Sequence, residues 1–142
     1  MNKAKRPTWK TITKDGHAAL RSPDGRIYYG TPSEVRRAAL GVRAAVLESN
    51  HDYDMLRAGP YPWPLKRRVG GDFGHLSNEA AGEFARELAE AGAKCLLLAH
   101  LSETNNTPEA ARRAVAAALG SAAGEVKLSV APAGQCSEIF EI

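Results

Sequence analysis

EAAGEFARELAEAGAKCLLLAH, residues 79–100, joins two elements of different period. Ala80, Ala81, Phe84, Ala85, Leu88 and Ala89 recur at helical spacing on one face, which predicts a helix over 79–91 with Gly92 as its stop. The next seven residues, AKCLLLA (93–99), form a short and continuously apolar run, the pattern of a strand covered on both faces. The same alternation continues on either side. Val42 to Leu47 reads as a buried strand, Thr107-Pro108-Glu109 opens a helix that runs to about Leu119 and stops at Gly120, and Glu125 to Ala131 alternates as a further strand. Strands alternating with helices predict an α/β fold with mainly parallel pairing.

The flanks are less regular. Residues 1–25 show no sustained period and contain Pro7, Gly16, Pro23 and Gly25, so residues 1–30 are expected to form an irregular, basic lead-in with at most a short strand at 26–30. Pro32 and Ser33 open a predicted helix over 33–40 that Gly41 stops. Asn50 is a candidate N-cap for a short helix through Asp52, Met55 and Leu56, ended by Gly59-Pro60. Three prolines in PYPWP (60–64) predict a rigid loop, and Glu138 to Ile142 a final edge strand.

With 142 residues the chain has room for one ordinary domain, and 44% hydrophobic and 25% charged residues fit a globular protein. No apolar run approaches the roughly 20 residues that span a bilayer, and the polar, basic start has no apolar stretch behind it, so a cytoplasmic protein without membrane contact is expected. Cys95 and Cys136 lack the spacing of a disulfide framework or zinc ribbon and are expected to be reduced. The net charge of +3 is uneven, with Lys3, Lys5, Arg6, Lys10 and Lys14 in one cluster and Lys66, Arg67 and Arg68 in another. Both clusters are compatible with a phosphate-bearing partner, although solvated charge is the blander reading.

In parallel sheets, ligands gather at the carboxyl ends of the strands. His100 stands where the 93–99 strand emerges, as a rigidly anchored metal ligand or as a hydrogen-bonded structural residue. His75 precedes a predicted helix start, where it could meet an anion or donate a proton; alternatively Ser77 or Asn78 is simply the N-cap. The polar run Glu48-Ser49-Asn50-His51-Asp52 follows an apolar strand and reads as a ligand-facing loop or as turn chemistry. Asn105 and Asn106 read as turn residues ahead of Thr107. The candidate substrate-binding residues are Asn50, His51, Ser77, Asn78 and Ser102, with His75 as candidate catalytic residue and His100 as candidate metal ligand.

ESNHD (48–52), AGPYPWPLKRR (58–68), GHLSNEAA (74–81), LLLAHLSETNNTPEAA (96–111) and LSVAP (128–132), in this order, resemble the later motifs of metallo-β-lactamase-fold hydrolases. The similarity is greatest to the YycJ-like (WalJ) branch, with ribonuclease Z more distant, and covers about 31–142. It implies the carboxy-terminal half of an αββα sandwich, a zinc or manganese centre, and cleavage of nucleic acid or another phosphodiester. By resemblance, His100 matches the last histidine ligand of the second metal, and His75 the histidine that contacts phosphate or protonates the leaving group.

The resemblance also shows gaps. H-x-H-x-D-H, the first metal motif of these hydrolases, is nowhere in the sequence. Counting back from Val35 puts Ile27 at the bridging aspartate, and the similar Thr13-Lys14-Asp15-Gly16-His17 lies too far upstream. A truncated or degenerate hydrolase, inactive alone, is therefore expected. The alternatives are a non-catalytic nucleic-acid-binding module and a half-fold completed by a partner chain or a second copy. A half-fold would leave one sheet face uncovered and prone to self-association.

Overall fold

The computed structural model describes residues 10–14, 17–21, 27–28, 39–72 and 74–139. The chain divides into two units, Met1–Ala39 and Leu40–Ile142. In the first, β1 (Lys10–Lys14), β2 (His17–Arg21) and β3 (Ile27–Tyr28) form an antiparallel meander in that order. This corrects the expectation of an irregular segment over 1–30. The pairing of Lys14 with His17 leaves only Asp15-Gly16 between β1 and β2, and Asp-Gly between two extended runs is a strong hairpin signal. The helix expected over 33–40 lies almost wholly outside the described residues.

The second unit is built on a parallel sheet in the order β4 (Ala44–Glu48), β5 (Cys95–Ala99), β6 (Lys127–Val130). In this register Leu47 faces Leu98 and Leu98 faces Val130, while Ala45, Leu96 and Leu128 form the neighbouring row. The two rows point to one side of the pleat. Two helices supply the rest of the core there. They are α3 (Asn78–Glu90), through Ala81, Ala85 and Leu88, and α4 (Pro108–Leu119), through Ala111, Val115 and Leu119. Each fully buried Leu contributes about 1.5–3 kcal/mol relative to exposure. The helices pack closely because α3 carries Gly82, where an added Cβ would lie 2.8 Å from the Ala118 Cβ. On the other side of the sheet Val46 is 68% exposed.

Both long helices start and stop as the sequence predicts. Ser77 caps α3 by accepting from the Ala80 amide at 3.2 Å, and Thr107 caps α4 by accepting from Ala110 at 3.0 Å. Gly92 takes φ 106° just beyond α3, a left-handed conformation that a side chain would disfavour.

Two short helices, α1 (Tyr53–Ala58) and α2 (Trp63–Val69), fill the connection before α3. Asp52, not Asn50, caps α1, accepting from Met55 N–H at 2.9 Å. The loop expected over 60–64 is shorter: Trp63 and Pro64 begin α2, because proline in a first helical turn lacks only a donor that has no intrahelical partner. Glu138 and Ile139 are not in a strand, and the remainder of the expected edge strand falls outside the described residues. Among the described residues no helix is long and apolar enough to cross a membrane.

Candidate active site

Parallel pairing of β4 with β5 sets Glu48 opposite Ala99, so both strands end on the same edge of the sheet. Glu48 is the last residue of β4, and His100 is the first after β5. His75 reaches the same edge from the loop before α3, whose backbone is stitched to β4's extension by Asn50 N–H to Leu76 C=O at 2.8 Å and Asn78 N–H to His51 C=O at 2.9 Å.

Glu48 holds the two histidines together. Its Oε1 lies 2.7 Å from His75 Nδ1 and 2.5 Å from His100 Nδ1, and its Oε2 accepts from the Leu76 amide at 3.0 Å. The imidazole centroids are 5.1 Å apart. Burial raises the Glu48 pKa, but the Leu76 amide and the His100 and His75 rings outweigh it and leave the carboxyl below its ordinary range. An ionised carboxylate only accepts, so each ring donates from Nδ1 and keeps the Nε2 lone pair free.

His100 has φ 59°, a left-handed backbone that costs a non-glycine residue about 1–2 kcal/mol. Asn50 Nδ2 donates to the His100 carbonyl at 2.8 Å and helps to hold that conformation. Both rings line an open cavity of about 320 Å3, together with Asn50, Tyr61, Ser102 and Thr104.

Beneath this edge lies a buried polar lattice. Asn78 and Asn106 exchange two amide hydrogen bonds of 2.9 Å, Ser49 Oγ donates to Asn78 Oδ1 at 2.6 Å, and Asn106 Nδ2 also donates to the Ser49 carbonyl at 2.8 Å. The candidate substrate-binding residues therefore occupy different layers. Asn50 and Ser102 line the cavity, Ser77 caps α3, and Asn78 and His51 are buried, with His51 in an isolated parallel bridge to Ser77. Ser102 Oγ accepts from the Thr104 and Asn105 amides. Sequence reasoning singled out His75 and His100, but placed Glu48 only in the polar run 48–52 and Asn106 only among turn residues, and gave neither a role of its own. The available signal for Glu48 was an acid ending an apolar strand parallel to the one that ends at His100.

Glu48, His75 and His100 offer donor atoms that all lie within 4.8 Å of one another. Imidazole nitrogen and carboxylate oxygen suit zinc or manganese. With Glu48 shared between the Nδ1 atoms, the donors left are two Nε2 nitrogens, one short of the roughly three protein ligands of a catalytic zinc. The side chains thus fit part of a metal centre.

No protein-family profile matches the chain. It is 47% identical over 79 residues to exodeoxyribonuclease YycJ of Bacillus anthracis, an alignment covering 56% of this chain and 30% of that protein. To exodeoxyribonuclease WalJ of Streptococcus pneumoniae it is 44% identical over 66 residues, covering 46% and 24%. The crystal structure of the metallo-β-lactamase fold protein YhfI of Bacillus subtilis superposes with a TM-score of 0.52 at 20% identity, over 90% of this chain and 47% of that one. The chain spans less than a third of the length of the curated relatives it matches. The sheet of β4 to β6 flanked by helices is accordingly part of a metallo-β-lactamase fold, and over its carboxy-terminal part the chain is similar to the YycJ and WalJ exodeoxyribonucleases.

Proposed function

We propose that this chain carries the phosphate-side portion of a metal-dependent nuclease site acting on nucleic acid. The observation that carries the reading is the single carboxylate of Glu48 shared by His75 and His100. His75 donates from Nδ1 to Glu48 and has Nε2 left for substrate, where a proton can steady a phosphate or pass to a leaving oxygen. His100, in the same tautomer, offers Nε2 to a divalent cation, zinc or manganese. When bound, such an ion supplies a water that ionises near neutral pH. Asn50 and Ser102 flank the rings on the cavity wall, as substrate-binding positions.

The sequence lacks H-x-H-x-D-H, so this chain alone is expected to bind metal weakly and to hydrolyse phosphodiesters poorly or not at all. A cytoplasmic setting belongs to the same proposal, and the free thiols of Cys95 and Cys136 agree with a reducing compartment.

Imidazole NMR in metal-free buffer tests the phosphate-side role. Dimethyl phosphate, a diester without a base, should shift the His75 and His100 ring signals, and Glu48→Gln should abolish the response. No shift in the parent chain would reject the reading. One tightly retained zinc or manganese per chain after dialysis, or metal-dependent cleavage of labelled DNA that disappears in His100→Ala, would show that the centre is complete after all.

A further inference from the structure

A second cavity, of about 460 Å3, opens between α1 and α2. Tyr53, Leu56 and Arg57 line it from α1, and Trp63, Lys66 and Arg67 from α2. Its chemistry is selective. Two large aromatics stand in water, Tyr53 60% and Trp63 66% exposed, although each carries one of the largest apolar surfaces a side chain can have. Three cations surround them and no lining residue is acidic. Lys66 is held in place by donating to the Arg57 carbonyl at 2.7 Å, and Arg57 and Arg67 are exposed. The frame is stiff, since Pro60, Pro62 and Pro64 surround the turn between the two helices.

An anionic partner satisfies the charge, and a partner with exposed flat π faces satisfies the aromatics. The only aliphatic lining side chain, Leu56, is itself buried, which leaves little for the apolar face of a peptide helix. Duplex nucleic acid hides its base faces in the stack. A single strand offers both features along its length, phosphates for guanidinium groups and unpaired bases for stacking. The cavity also adjoins the histidine site: Gly70 lines this one, while Val69, its chain neighbour, lines the other.

We propose that the cavity between α1 and α2 binds single-stranded nucleic acid, an unpaired base stacking on Trp63 and Tyr53 while adjacent phosphates meet Arg57, Lys66 and Arg67. It deepens the nuclease reading, and rests on that reading only in taking the strand onward past Val69 to His75. The surface works as a gripping site that selects an unpaired strand next to the cutting site.

Fluorescence anisotropy of a labelled oligothymidylate with the whole chain in EDTA is the test. Trp63→Ala should weaken binding roughly five-fold or more, the effect of losing one stacked base, and Trp63→Phe should restore most of it. Arg57→Ala and Arg67→Ala should each lower the slope of log affinity against log salt by about 0.7. An unlabelled blunt duplex should compete worse than the single strand. Unchanged affinity in Trp63→Ala would overturn the proposal, as would a polyglutamate peptide that displaces the oligonucleotide as well as unlabelled strand does, since that would mark an acidic-peptide surface. The dimethyl phosphate response of His75 should persist in Trp63→Ala, so failure here and failure of the phosphate-side role give different results.

Discussion

His51 sits 2% exposed beneath the sheet edge that carries Glu48 and His100, and its burial couples its protonation to folding. Burial lowers its pKa from 6.5, and the pull of Glu79, Glu48 and Asp52 in the other direction does not restore it. The folded protein therefore takes up this proton less readily than the unfolded chain. Stability from this source is complete above about pH 6.5 and declines as pH falls from there towards the depressed folded value. Glu48, also lowered, acts in the same sense, but only below 4.5. Melting temperatures between pH 7.5 and 5.5 should fall in the parent chain and fall less in His51→Gln; equal slopes would sever the link. His51, His75 and His100 could all be found from the sequence because histidines near strand ends are few. Glu48 could not be told from an ordinary strand-end acid, since its role arises from contacts 27 and 52 residues away. Asn106, beside a helix cap, likewise gave no local sign that its amide is buried against Asn78.

Elements with a long apolar period were legible, and those governed by one dipeptide or one proline were not. α3 and α4 follow from six or more apolar positions each and from caps at Ser77 and Thr107. The meander of β1 to β3 is made of strands of two to five residues, too short for an apolar period, and its sequence signal is the single dipeptide Asp15-Gly16. α2 was hidden by Pro64, which reads as a breaker unless its place in the first turn is known. What the period of α3 does not reveal is why Gly82 interrupts it. Glycine is a poor helix former by about 1 kcal/mol, yet the approach to Ala118 leaves no room for a Cβ. Gly82→Val should destabilise the chain by at least about 1–3 kcal/mol, the cost of overpacking. Urea unfolding would measure it, and a midpoint equal to or above the parent's would mean that the helices can move apart freely.

For the molecule as a whole, the consequential surface is the sheet side that carries Val46. Val46, 68% exposed, pairs in register with the half-buried Leu97, while Cys95 farther along the same side is buried. Exposed apolar strand surface favours association, so sedimentation velocity should show concentration-dependent oligomers that Val46→Lys suppresses without lowering the melting temperature. A monomer at every concentration would show that the surface is covered in solution. The Asn78–Asn106 amide pair has a different global effect. Through the Ser49 carbonyl it ties together the exit of β4, the start of α3 and the start of α4, three segments far apart in sequence. Loosening any one of them exposes unsatisfied buried amides in the other two, so they should open as one cooperative unit. In native-state hydrogen exchange the amides of Asn50, Asn78 and Ala111 should then share a single opening free energy, and Asn106→Ala should split it into separate values.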